Sequence, residues 1–597
     1  MKPFLPVTKK DCALRGWDQL DAILITGDAY VDHPSFGASV IGRVLEAAGL
    51  KVGIIAQPDW RRPDDFGRLG RPGLFFGITA GNLDSMVANY TAHKRPRKKD
   101  LYSPGGKPAM RPDRATIVYA NRVREVFGDI PIVLGGIEAS LRRFAHYDWW
   151  DNGVRRSILV DSRADILVYG MGESQVREIA HRLRQGRDLA GIRGTTIIRK
   201  DPTLLHEAVE IPDLDVVKGD KDSFNRAFRL IYENMDPYRG KTIVQKQDTR
   251  YVVQFPPAMP LETDQLDGIY GLPYARRAHP SYDRWAGIPA LETVRFSITS
   301  HRGCCGECSF CSLSLHQGRI VQSRSPESLV AEAATISQDD DFRGTITDVG
   351  GPTANLYGAS CGRWEKKGAC AHKHCLLPAT CDNLRLGYNE SLRVYREILA
   401  LPGVKHVFVE SGMRHDLLVG KEAKEYLVAV CKRHVTGRMK VAPEHISDGV
   451  LRLMNKPSLA VYEAFVEAFR EANVRVGKEQ FLVNYFVSAH PGATLEASLD
   501  LALYLRQRNI NPEQIQDFIP LPGTRSGAMY YTGRDPSTGK EVYVARTFQE
   551  RKMQRALLQS FMPANEPLVR EALHVMEKDH FLDRLINTRR TKSHHGT

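Results

Sequence analysis

The stretch His301-Arg302-Gly303-Cys304-Cys305-Gly306-Glu307-Cys308-Ser309-Phe310-Cys311 carries four of the chain's ten cysteines. Cys304, Cys308 and Cys311 are spaced C-x3-C-x2-C, with aromatic Phe310 before the last. Three thiolates on one short loop can hold three corners of a cubane iron–sulfur cluster. The fourth iron then lacks a protein ligand, and an open coordination position separates a reactive metal site from a structural one. Cys305 offers a second frame, C-x2-C-x2-C with Cys308 and Cys311, and both frames are physically sound. Taken alone, the loop could also be a zinc knuckle closed by a distant Cys or His.

The surroundings of the loop set the fold. Apolar runs at 294–299, 344–348, 406–410, 439–442, 481–486 and 514–519 read as strands. Helical patterns at 326–337, 389–399, 421–434, 460–472 and 494–507 separate them. Six such units predict a (βα)6 partial barrel over 286–525. Chemistry in such barrels sits at the carboxyl ends of the strands, where the cysteine loop falls, directly after the first strand.

A second alternation fills residues 1–204. Strands are expected at 22–26, 52–56, 74–78, 132–134 and 166–169, with helices at 35–48 and 116–127. This predicts an α/β, doubly wound, flavodoxin-like domain. Such sheets bind ligands beyond the carboxyl ends of their strands, here at Gly27-Asp28, Gly135-Gly136 and Gly170-Met171-Gly172-Glu173. Residues 91–112, rich in Lys, Arg, Pro and Gly, read as an exposed basic insertion. Residues 205–285 read as a connector with one helix at 223–234, and 526–597 as a helical extension ending in a polar tail.

Further chemistry gathers at the other strand ends. Asp348-Val349-Gly350-Gly351-Pro352 closes the second barrel strand, where two glycines let the backbone approach a ligand. Glu444 closes the fourth, and a carboxylate there can accept hydroxyl or ammonium hydrogens. Glu410, Arg414, His415 and His490 are further candidates at the barrel mouth. A cysteine-rich insertion, 353–388, holds Cys361, Cys370, Cys375 and Cys381, with His372 and His374 among them. Four thiolates could hold a second iron–sulfur cluster or a tetrahedral zinc.

Composition agrees. Eight of the ten cysteines lie between Cys304 and Cys381, and clustering in a cytosolic chain argues for metal over disulfides. No apolar run approaches the ~20 residues of a membrane span, and the start lacks a signal-peptide stretch, so the expected location is the cytoplasm. A net charge of +13 over 597 residues admits nucleic acid or anionic metabolites as partners. Much of it is local, in 94–99 and 589–592.

The cysteine loop on a six-unit barrel resembles the radical S-adenosylmethionine superfamily. A closer resemblance, spanning nearly the whole chain, is to the YgiQ-type radical S-adenosylmethionine family. It is carried by His301-Arg302-Gly303-Cys304, Gly350-Gly351-Pro352-Thr353-Ala354-Asn355, Val441-Ala442-Pro443-Glu444-His445 and Ala528-Met529-Tyr530-Tyr531-Thr532-Gly533. The resemblance implies a [4Fe–4S] cluster on Cys304, Cys308 and Cys311 and favours Cys304 over Cys305. It implies S-adenosylmethionine on the open iron, bordered by Phe310, Gly350, Gly351, Pro352 and Glu444. Reductive cleavage to a 5′-deoxyadenosyl radical follows, with electrons from a flavodoxin- or ferredoxin-type donor. The substrate stays unassigned.

The N-terminal domain also resembles cobalamin-binding domains of other radical enzymes. Those that ligate cobalt through histidine carry D-x-H-x-x-G; Asp32-His33-Pro34-Ser35-Phe36-Gly37 departs from that spacing. Two alternatives within the enzyme class are a cobalamin-dependent radical methylase and an RNA-modifying enzyme. The latter rests on the basic charge and on the likeness of 447–457 to methylthiotransferase barrels. Outside that class stand a zinc- or cluster-bearing nucleic-acid-binding protein and an electron-transfer protein with a closed cluster.

Overall fold

The computed structural model describes residues 4–201, 207–512 and 514–586. The polar tail and its basic run at 589–592 lie outside them. The N-terminal sheet is built on β1 (Ala22–Thr26), β2 (Val52–Ala56), β3 (Phe75–Thr79), β4 (Ile132–Leu134) and β5 (Ile166–Val168). They run parallel in the order β2-β1-β3-β4-β5, the flavodoxin-type order, with a topological switch point beside β1. Every residue of β1 and β2 is buried, as expected of central strands covered on both faces.

The sheet continues past the expected boundary at 204. Three strands, Val209–Glu210, Ile243–Gln247 and Arg250–Gln254, extend it through Thr195–Arg199 to nine strands. The expected connector is therefore partly sheet. Its strands are rich in glutamine, which hid the apolar pattern. Those side chains are buried and used: Gln245 Oε1 accepts from Ala145 N at 2.9 Å and Gln247 Oε1 from Ser157 N at 2.9 Å.

The basic insertion is likewise only partly exposed. Arg111 is buried and bridges Asp28 at 2.9 Å and Asp100 at 2.8 Å. Lys94 Nζ lies 4.6 Å from the Trp149 ring centroid and donates to Trp150 O. Its exposed charge is confined to residues 95–99 and Lys107.

The barrel is an arc of short parallel strands. Ser297–Thr299 pairs with Asp348–Gly350, and Thr345–Ile346 with His406–Val407. A bridge from Met413 to Val441 leads to Arg438–Glu444, Phe481–Ser488 and Ile515–Asp517. The helices match their expected places, for example Pro326–Ser337, started by a Ser325 cap and Pro at its first turn. The C-terminal helices pack on the barrel, where Met553, Leu557 and Leu573 share a core with Leu499 and Leu505. One apolar cluster joins the domains, mixing Phe144 and Tyr147 with Met454, Phe518 and Tyr530. No helix among the described residues is long and apolar enough to cross a membrane.

Candidate active site

The cysteine loop leaves the first barrel strand and is held on every side. Ser309 N donates to Met454 O at 2.9 Å, and Asn455 Nδ2 donates to Glu307 O at 2.9 Å. The Glu307 carboxylate is buried. It accepts from Tyr232 at 2.9 Å and Arg319 at 2.7 Å and meets His374 of the insertion at 3.2 Å. On the upstream side Arg302 pairs with Glu173 at 2.5 Å and donates to Tyr270 at 3.0 Å, both ion-pair partners being buried. A motif residue of the barrel is thus tied to a turn of the N-terminal sheet.

The thiols of Cys304, Cys308 and Cys311 act electrostatically on one another across the loop. Burial pushes the Cys311 thiol up to about 12 and that of Cys304 upward as well. Binding iron would have to displace those protons. A buried cation stands ready: Arg414 Nη1 lies 3.7 Å from Cys308 Sγ, while its other edge takes Asp416 at 3.0 and 2.6 Å. Gly306 sits where a Cβ would strike Arg414 and come within 3.4 Å of Cys304 Sγ, so only glycine fits while Arg414 holds that place. Among the described residues no three His, Cys, Asp or Glu side chains converge on a single ion.

Cys305 turns the other way. Its thiol is hydrogen-bonded to Cys375, which is held below the usual thiol range by that bond. Cys304, Cys305, Cys361, Cys375 and Cys381 border one apolar cluster around Trp364 and Leu376, and Cys370 is not part of it. Of the second cysteine group, Cys361, Cys375 and Cys381 thus share one cluster.

Gly350, Gly351 and Pro352 line a cavity of about 590 Å³ between the two domains. Asp348, beneath them, accepts from Glu410 N at 2.8 Å, Ser411 N at 3.0 Å and the Ser411 hydroxyl. The glycines have a reason the sequence did not reveal. A Cβ on Gly350 would strike Ser411, and one on Gly351 would lie 2.5 Å from the His301 ring. Burial holds His301 down to about 4, hence neutral near pH 7. The cavity's other wall is the N-terminal sheet: Gly81, Gly135-Gly136 and Gly170-Met171-Gly172 at its mouth, Leu24, Phe75 and Val133 deeper in. It thus occupies the crevice at the strand carboxyl ends, as the topology requires.

The remaining candidates separate. Glu444 is buried at φ +68°, 3.7 Å from Lys456, and its charge reaches Cys311. Burial raises its carboxyl above the usual range despite Lys456. Phe310 packs edge-on against His490 at 5.9 Å, and His490 bonds Ser526 at 2.7 Å, so neither lines the cavity. His415 packs edge-on to Tyr462 and tilted against Phe465, both ring nitrogens without a partner among the described residues, and Glu410 pairs with Lys440 at 2.9 Å. His33 is buried, accepts from Ser35 N at 3.0 Å, and does not line the cavity. Lys456, Arg319, Tyr270 and His316 escaped the sequence reading, because isolated polar residues carry no pattern.

Residues 4–297 match the family described as Radical SAM N-terminal, and 513–589 match a domain of unknown function, DUF3362. A UPF0313 protein of Clostridium botulinum (strain ATCC 19397 / Type A) is 51% identical over 573 residues, covering 96% of this chain and 89% of the relative. A UPF0313 protein of Methanocella arvoryzae is 51% identical over 570 residues, covering 95% and 94%. Among solved structures, the cobalamin-dependent S-adenosylmethionine radical enzyme OxsB with aqua-cobalamin bound superposes with a TM-score of 0.51. It is 11% identical, with 95% of this chain and 72% of that one covered, a likeness of fold. The chain belongs to the UPF0313 family, the YgiQ-type family of radical S-adenosylmethionine enzymes.

Proposed function

We propose that, in this member of the UPF0313 family, Cys304, Cys308 and Cys311 ligate the [4Fe–4S] cluster and S-adenosylmethionine binds on the fourth iron. Bound there, the pair supplies a 5′-deoxyadenosyl radical on one-electron reduction. The observation that carries the assignment is the packing at Cys304-Cys305: Cys305 is fully buried in one apolar cluster with Cys375, while Cys304 is partly buried beside Gly306, next to the Arg414 guanidinium that reaches Cys308 Sγ. The protein's own part is positional. Arg414 offsets negative charge on the thiolates, Glu444 with Lys456 borders the site beside Cys311, and Gly350 to Pro352 line the neighbouring cavity. A reductant must come from outside, and a flavodoxin- or ferredoxin-type donor fits that need.

The test is anaerobic reconstitution followed by iron, sulfide and 5′-deoxyadenosine assays with S-adenosylmethionine and dithionite. The loop should bind about four iron per chain. Product formation should vanish in Cys308→Ala. Colourless protein holding only zinc after reconstitution would overturn the assignment.

A second reading is favoured by the interdomain cavity: a cobalamin-dependent radical methylase. The cavity lies at the switch point of the sheet, shares Arg302 with the cysteine loop, and is glycine-lined where a broad cofactor would rest. The RNA-modifying reading has less support, since Lys94 and Arg97 of the basic run are hydrogen-bonded within the fold. A cytoplasmic location is consistent with either.

A further inference from the structure

Most polar side chains facing the interdomain cavity are already engaged. Glu173 and Arg302 pair with each other, Tyr270 accepts from Arg302, and Asp348 holds Ser411. His301 bonds Ser300 at 2.9 Å through Nδ1; its Nε2 has no hydrogen-bond partner among the described residues, but the ring is fully buried against Gly351. His316 differs. It sits on Leu313–Gln317, the short helix directly after the cysteine loop, and lines the cavity. Its Nδ1 is 3.1 Å from Ser140 Oγ, and among the described residues Nε2 has no hydrogen-bond partner.

The hydrogen bonds fix which nitrogen carries the proton. Ser140 Oγ accepts from Gly170 N at 3.1 Å and donates its one proton to Gly136 O at 2.9 Å, the shortest of its three contacts. Ser140 has no proton left for the imidazole, so His316 Nδ1 must be the donor. The lone pair then sits on Nε2. A histidine whose far nitrogen donates to a fixed acceptor is the arrangement that orients metal-ligating imidazoles. Here the acceptor is itself anchored to both glycine turns at the cavity mouth.

One imidazole cannot build a metal site, and no group of three ligating side chains stands nearby among the described residues. A metal received here must therefore bring its other ligands with it. A macrocycle with a vacant axial position meets that condition. We propose that His316 Nε2 is the axial ligand the protein offers to the cobalt of a corrinoid held in the interdomain cavity. This rests on the cobalamin reading above. It moves the ligand from Asp32-His33, the place a D-x-H motif would suggest, to the helix behind the cysteine loop.

The test uses the full-length, anaerobically reconstituted protein with hydroxocobalamin as the probe, unbound cobalamin removed and the bound form reduced to cob(II)alamin. Electron paramagnetic resonance then reads the axial nitrogen. Unlabelled protein should give threefold splitting of the cobalt lines, and protein made with 15N-histidine should give twofold splitting. His316→Ala should lose the splitting, and added 15N-imidazole should restore it. Ser140→Ala should keep the splitting with cobalamin affinity lower by about tenfold or more, as for other outer partners of ligating histidines. Cobalamin retained by wild type without a histidine signature, or a signature that survives His316→Ala, would overturn the His316 assignment alone. Failure of wild type to retain cobalamin would overturn the cobalamin reading and this assignment together.

Discussion

The two cysteine groups of this chain look alike as text and differ as structure. Residues 304–311 form a loop whose backbone and flanking side chains are tied to residues of both domains. Residues 361–381 hold as many cysteines, yet the segment's one helix is the four-residue Trp364–Lys367, on which Glu365, Lys366 and Lys367 are all exposed. What separates the groups is the set of buried partners. Glu307, Arg302, Arg414 and Asn455 serve the first, while the second has apolar packing around Trp364 and fewer polar ties, His374 to Glu307 and Ala369 N to Asp236. Cysteine spacing proposes a metal site, and the groups that orient and charge-balance the thiols make one.

The largest expected effect breaks the tie between adjacent residues. Cys304→Ala should lose the loop's iron, about four per chain, and all 5′-deoxyadenosine formation. Cys305→Ala should keep both, because its thiol faces Cys375. Iron analysis of the two variants side by side decides it, and the reverse outcome would exchange the roles of the two cysteines.

The tie between cysteine loop and N-terminal sheet comes next. Glu173→Gln leaves Arg302 buried without its counter-charge, and breaking such a pair costs about 3–5 kcal/mol. A clear fall in thermal midpoint is expected, together with weaker retention of the loop's iron. Unchanged melting would mean that water reaches Arg302 in solution. Smaller is Gly351→Ala, whose Cβ would meet the His301 ring at 2.5 Å. Overpacking of that kind costs about 1–3 kcal/mol. S-adenosylmethionine affinity should fall with it, measured by equilibrium dialysis on the reconstituted protein.

Much of this was legible in the sequence, and the reasons differ by level. Long periodic elements such as Val52–Ala56 and Pro326–Ser337 stand where their apolar spacing puts them. The glutamine-rich strands after residue 204 were missed, because their buried side chains bond across the fold and leave no alternation to read. At the site, the thiols were legible and their environment was not. Arg302 to Glu173 spans 129 residues, and His316 to Ser140 spans 176. Contacts of that separation exist only once both domains have folded together.

The smallest effect is expected in the second cysteine group. Cys375→Ser replaces a buried thiol with a hydroxyl of similar shape and leaves Cys305 a hydrogen-bonding partner. The cost should be about 1 kcal/mol, that of exchanging one modest hydrogen bond for another in apolar surroundings. Iron per chain and 5′-deoxyadenosine yield should match wild type if the insertion is held by packing alone. If the variant instead loses zinc, or iron beyond the loop's share, then the thiols of 361–381 close around a metal when one is supplied. The contrast between the two groups would then be one of order of assembly: the first loop is arranged before its metal arrives, and the second is arranged by it.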